Sequence, residues 1–142
     1  MTMKKLAVLG VLAVVALTQA GCATQVKSLP FAAAGGESRG DVPVFFGQQE
    51  HPAVKSKLGE VAYSVRIARK QSSPDDACHE ALAEAVRKLR DAARDRHANA
   101  VIDVSTRFHS TETNSSADFT CGVSPSAAAI GVRGQLVVLE AQ

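Results

Sequence analysis

The stretch "SSPDDACHEALAEAVRKLRDAARDRHANA" admits one local structure, and the rest of the chain has to pack around it. Ser73 is a helix-capping residue, Pro74 suits the first helical position, and Asp75 and Asp76 favour the positive end of a helix dipole. Cys78, Leu82, Ala85, Val86, Leu89, Ala92 and Ala93 then recur at helical spacing and make a single apolar stripe. A helix with one stripe needs one apolar surface to cover it, and the flanking segments are built to supply a sheet. The basic run "RKLRDAARDR" reads as a solvated helix face, interrupted by Asp91 and Asp95. Glu84 and Lys88 stand at i,i+4 as an expected surface pair, and Arg94, Arg96 and His97 load the carboxyl end, where cations are favoured.

Short alternating segments lie on both sides. "VPVFF" reads as a strand with Pro43 inside it, which places it at a sheet edge. In "LGEVAYSVRIA", Val61, Tyr63, Val65 and Ile67 fall on one face and Ala62, Ser64, Arg66 and Ala68 on the other. In "ANAVIDVSTRFHS", Ile102, Val104, Thr106 and Phe108 face one way and Asp103, Ser105 and Arg107 the other. "TETNSSAD" is a polar turn. The last strand, "AAAIGVRGQLVVLE", turns Ile130, Val132, Leu136 and Val138 inward, with Gly131 and Gly134 admitting close approach by another backbone or the helix. The order strand, strand, helix, strand, strand predicts an α+β domain over residues 41–142, with one long helix on a small, mostly antiparallel sheet.

The amino end has a different character. Lys4 and Lys5 precede an apolar run from Leu6 to Leu17, shorter than the roughly 20 residues that span a bilayer. "TQAGC" follows, with small residues at Ala20 and Gly21 directly before Cys22, as in the lipobox that lipoprotein signal peptidase reads. Residues 1–21 are therefore expected to be a lipoprotein-type signal peptide and Cys22 the acylated new amino terminus. The position three before the cysteine, usually leucine, is Gln19. An ordinary signal peptide cut after Ala20, with Thr18 and Ala20 as the small pair, is the other reading. Alanine rather than aspartate at position 23 points to the outer membrane, with the domain facing the periplasm. Residues 22–40 have no sustained period and carry Gly35, Gly36, Ser38 and Gly40, and read as a flexible lipidated tether.

Cysteine parity bears on the same question. Cys22, Cys78 and Cys121 are three, and an odd count in an exported chain leaves one thiol over. With lipid on Cys22 the remainder is even, and Cys78 and Cys121 are free to pair in an oxidising compartment. Loss of Lys4 and Lys5 with the signal leaves 14 basic and 14 acidic residues. A near-neutral chain with one tyrosine and no tryptophan carries no nucleic-acid footprint.

The pattern "LGEV", a cysteine at the start of an alanine-rich helix, "ANAVIDV" right after that helix, and a glycine-containing last strand resembles RcsF-like envelope domains and the YbjQ-like family. It is most similar to small exported proteobacterial proteins often labelled "excinuclease ATPase subunit". The resemblance covers about residues 41–139 and implies the same helix-on-sheet fold. It also implies that a Cys78–Cys121 disulfide ties the helix start to the loop before the last strand. RcsF-like domains have four cysteines where this chain has two, so no signalling through a second disulfide carries over. The ATPase label fails on the residues. A phosphate-cradling loop ends in Gly-Lys-Ser or Gly-Lys-Thr, and the chain has no Gly-Lys pair.

Candidate chemistry is sparse. His51, Cys78, His79, His97, His109 and Cys121 are the metal-ligand types, but Cys78–His79 is their one close pair, and neighbours on a helix diverge by about 100°. A disulfide would remove Cys78 as a nucleophile. No metal site, cofactor or catalytic residue is expected. Arg66, Asp103, Arg107 and Arg133 would share the sheet face opposite the helix, as wet surface or as a docking face for an envelope partner or a second copy. The expected function is a non-enzymatic outer-membrane lipoprotein with an interaction or envelope-stress-sensing domain. The alternative is a soluble, oligomeric periplasmic module that binds a metal or small ligand.

Overall fold

The computed structural model describes residues 23–31 and 42–141. Among the described residues, seven strands and one helix follow in the order β1 (Gln25–Pro30), β2 (Val44–Phe46), β3 (Val54–Ala68), α1 (Pro74–Asp95), β4 (Ala100–Phe108), β5 (Thr111–Thr113), β6 (Asp118–Val123) and β7 (Ala127–Leu139). All seven strands join one sheet, ordered β1-β6-β7-β4-β2, with β3 on β7 and β5 on β4. The pairings are antiparallel except that β2 runs parallel to β4.

This corrects the expected β-β-α-β-β arrangement. The fold is α+β, but its sheet is large and mixed rather than small and mostly antiparallel. The added strands are those without alternation. β1 lies in the stretch read as a tether, where its pairing with β6 (Gln25 opposite Val123, Pro30 opposite Asp118) draws residues 25–30 into the sheet. β5 and the start of β6 lie in "TETNSSAD", read as a turn because polar residues there satisfy edge positions. Pro43 stands just before β2 rather than inside it, but the edge position holds: β2 ends the sheet path, and the Pro43 carbonyl accepts the Val101 N–H at 3.0 Å.

The helix forms as its residues dictate. The Ser73 hydroxyl accepts the Asp76 N–H at 3.1 Å, and Pro74 opens the first turn. All seven residues of the stripe are buried, joined by Ala77 and Ala81. The many alanines let the helix lie close over β7 and β3. Arg87, rather than Lys88, takes the Glu84 carboxylate, and it also reaches Asp91 at 3.0 Å. The Arg87 guanidinium holds the Glu84 carboxyl below its usual range, and that pairing raises Arg87 in turn. In the basic run, Arg87 and Arg94 are thus matched by Glu84 and Asp91.

Asp103 breaks the alternation of β4. It adopts φ +52°, and the register to β7 slips between Ile102 and Ser105. Such a bulge puts two residues opposite one and reverses which side chains face the core. Val101 and Val104 both enter the main core, whereas Ile102, expected beside Val104, joins Ala100, Val137 and Leu139 in a small second cluster. Gly134 is the price of this packing: a Cβ there would stand 2.7 Å from Val101 Cγ1 and 3.1 Å from Val104 Cγ2. Close approach at this glycine comes from β4 side chains, not from the helix. Near the end of β7 the alternation is kept: Leu136 enters the main core, Val138 on the same face is half-buried, and Val137 and Leu139 on the other face join the second cluster.

The Cys78 and Cys121 side chains are fully buried and joined, with Cα atoms 5.9 Å apart. The bond ties the first turn of α1 to β6 itself. Phe31 closes the same region, with its ring 4.4 Å from Phe46 and 5.5 Å from Phe119. β1 is thus locked to the domain by backbone pairing, by aromatic packing and by the Lys27–Asp75 ion pair to the helix start.

Candidate interaction face

On the sheet surface away from α1, the central strand β7 carries small residues between longer ones. Arg66 of β3 stands opposite Ala129, and Ser64 opposite Gly131. From the other side, Arg107 of β4 stands opposite Gly131. Because Ala129 and Gly131 present little or no side chain, the two arginines flank a depression rather than a ridge. It is an open trough of about 360 Å³, closed at one end by Phe108 and His109. The Arg107 side chain lies across Gly131, where an added Cβ would come within 3.0 Å of Cγ and 3.2 Å of Nε.

The four residues expected on this face are not equivalent. Arg133 is spent inside the molecule: it pairs with Glu112, and its Nε lies 3.8 Å from Glu60. Gln135 holds the other oxygen of Glu60 at 2.9 Å. Arg133 first, then the Ser105 hydroxyl and the charge of Arg107, hold the Glu112 carboxyl below its usual range despite partial desolvation. Asp103 is exposed but sits at the bulge, outside the alternation that was to bring it beside the arginines. Arg66 and Arg107 remain as the exposed cations of the trough, and among the described residues Arg66 has no ion pair. Ser64, Phe108 and His109 complete the trough. Of these, the sequence offers His109 only as a metal-ligand type and Ser64 and Phe108 only as strand residues, although Arg107-Phe108-His109 at a strand end is a legible cluster of binding-type side chains.

The other candidates lie apart. Cys22 lies outside the described residues. His79 contacts the Asp75 carbonyl at 2.9 Å and the Pro30 carbonyl at 3.3 Å, with its ring edge-on to Phe119, so its role is to seat β1 against the helix start. His51 rests on Phe45 and its own chain, at the Pro52 carbonyl. Among the described residues, no three histidine, cysteine or acidic side chains gather as a metal site. No helix among them is long and apolar enough to cross a membrane.

No protein-family profile matches the chain, and no curated protein matches it in sequence. A solved structure does match: a protein of unknown function of the DUF74 family from Pediococcus pentosaceus ATCC 25745, with a TM-score of 0.50 at 13% identity. The match covers 70% of this chain and 98% of that one. At this identity the likeness concerns the fold alone.

Proposed function

We propose that the chain is a non-enzymatic, lipid-anchored envelope module, held by Cys22 in the outer membrane and facing the periplasm. Its arginine-flanked trough would receive an acidic partner. The observation that carries this reading is the buried Cys78–Cys121 bond. It supports an oxidising compartment, and it leaves Cys22 as the one unpaired cysteine, directly after "QAG". The RcsF-like resemblance agrees with an interaction or stress-sensing role, and in the trough Arg66 offers charge that no described residue neutralises. Intact mass of the protein from the membrane fraction tests the reading. The expected species begins at Cys22, carries a triacyl group and gains two hydrogens on reduction. A lipid-free species beginning at Gly21 overturns it.

Self-association is a second reading, favoured by β3. This strand of 15 residues pairs with β7 alone among the described residues, and a long open edge is a template for another strand. Lys55 and Lys57 on that edge are guards of the kind that oppose such pairing. Native mass spectrometry decides between them, a monomer at micromolar concentration removing the second reading.

A further inference from the structure

The place of β1 bears on how an anchored chain would sit, and the following rests on the reading of Cys22 as the lipid-bearing residue. β1 starts at Gln25, so Ala23 and Thr24 are the whole connection between Cys22 and the sheet. Three Cα steps span at most about 11 Å. The domain cannot stand off a membrane at that distance; part of its surface has to lie against the headgroups.

The sheet identifies which part. Gln25 is opposite Val123, Val123 is opposite Ala128, and the next residue, Ala127, is opposite Ala68. The start of β1, the hairpin Ser124–Ser126 and the loop from β3 into α1 therefore form one end of the molecule. Arg69 makes that end a unit. Its N–H donates to the Ser126 carbonyl at 2.9 Å, and its guanidinium donates to the Ser124 carbonyl at 3.1 Å and the Ser72 carbonyl at 2.9 Å. The opposite end, where Leu139 pairs with Val54, lies about 40 Å away along the 13 residues of β7.

Charge agrees with the anchor. Arg66, Arg69 and Lys70 cluster at the end nearest Cys22, and Lys27 there is matched by Asp75. The other acids at the helix start are Asp76, whose N–H is held by the Ser73 cap, and Glu80, whose carboxylate accepts the Ser72 hydroxyl at 3.5 Å. The hairpin tip is Ser-Pro-Ser, with no large apolar residue to enter hydrocarbon. We infer that the mature protein is seated upright on its own membrane, with the Ser124–Ser126 hairpin and the Arg69–Ser72 loop against anionic phospholipid headgroups. Arg66 and Lys70 supply the attraction. The trough beside Arg66 then opens close to the membrane plane, and the end bearing Glu140 points into the periplasm.

The test uses the full, lipidated chain in vesicles of phosphatidylethanolamine and phosphatidylglycerol. Gln19→Leu in the precursor supplies the usual lipobox leucine and leaves the mature sequence unchanged. A fluorophore is placed on Ser126→Cys, on Gln71→Cys as a second reporter of the same end, or on Glu140→Cys, while the buried disulfide stays closed. A quencher carried on the lipid headgroup should quench the labels at 126 and 71 strongly and the label at 140 weakly. Arg66→Ser and Lys70→Ser should each lower the seated population about fivefold, the effect of roughly 1 kcal/mol per cation at an anionic surface. Equal quenching at both ends overturns the seating while the lipid anchor stands. A contrast indifferent to both substitutions overturns the charged contact. A wild-type intact mass without lipid overturns the anchor and the seating together.

Discussion

At the scale of single residues, stability is concentrated where few atoms have alternatives. Cys78 and Cys121 close a loop with a sequence separation of 43, which in the chain-entropy account stabilises by about 4 kcal/mol, less any strain. Replacing both by serine should lower the denaturation free energy by about that amount, and reducing agent should have the same effect on the wild type and none on the variant. Glu112 is a second such point. Its carboxyl is held low by Arg133, so the pairing contributes fully above the ordinary carboxyl value of 4.5 and is lost as pH falls through the lowered folded value. Both partners are more than a third exposed, which limits the effect to below about 1 kcal/mol. Glu112→Gln should therefore lower stability slightly at pH 7, with the difference from wild type shrinking as pH falls below 4.5, as read from paired urea titrations.

At the scale of elements, the helix and β4 show two kinds of local logic. The helix depends on its own sequence: Ser73→Ala removes the hydroxyl that holds the Asp76 N–H and should cost about 1 kcal/mol in thermal or urea unfolding. The stripe, the cap and the acidic first turn all agree, so this element was legible to its ends. β4 depends on its neighbour. The bulge at Asp103 and the absence of a side chain at Gly134 are one device, since Val101 and Val104 occupy the space a Cβ would take. Gly134→Ala should overpack that space and cost about 1–3 kcal/mol, with β4 and β7 amides losing hydrogen-exchange protection first. No rule of alternation places a bulge. Asp103 tolerates the left-handed backbone, but many aspartates do so without forming one. For that reason alternation alone puts Ile102 on the wrong side and Asp103 on the arginine face.

At the scale of the whole molecule, the strand nearest the amino end decides the shape. Phe31 covers Phe46 and Phe119, and Phe31→Ala should cost about 2 kcal/mol, less than a fully buried phenylalanine because its ring is half-buried. The loss should release β1, which amide exchange at Val26 to Leu29 against the rest of the sheet would detect. The same strand turns an expected tether into part of the sheet. What was legible from the residues in order was whatever a few neighbouring side chains decide: the helix with its cap and buried stripe, the three strands with periodicity, the edge position of the strand beside Pro43, and the arginines at 66 and 107 on one face. Periodicity reports a half-buried surface, and β1, β5 and β6 carry little of it. Their pairing energy comes from backbone groups that every residue has, and becomes favourable once β7 and β4 stand ready to receive them. The trough has the same origin. Its arginines come from two strands far apart in sequence, its floor is the small residues of a third, and the neutralised Arg133 differs from the exposed Arg66 through the cross-strand acids Glu60 and Glu112. Side-chain types and local geometry follow from residues a few positions apart, whereas register, the reversal at the bulge and the partner of each charge follow from contacts that exist only when the sheet is assembled.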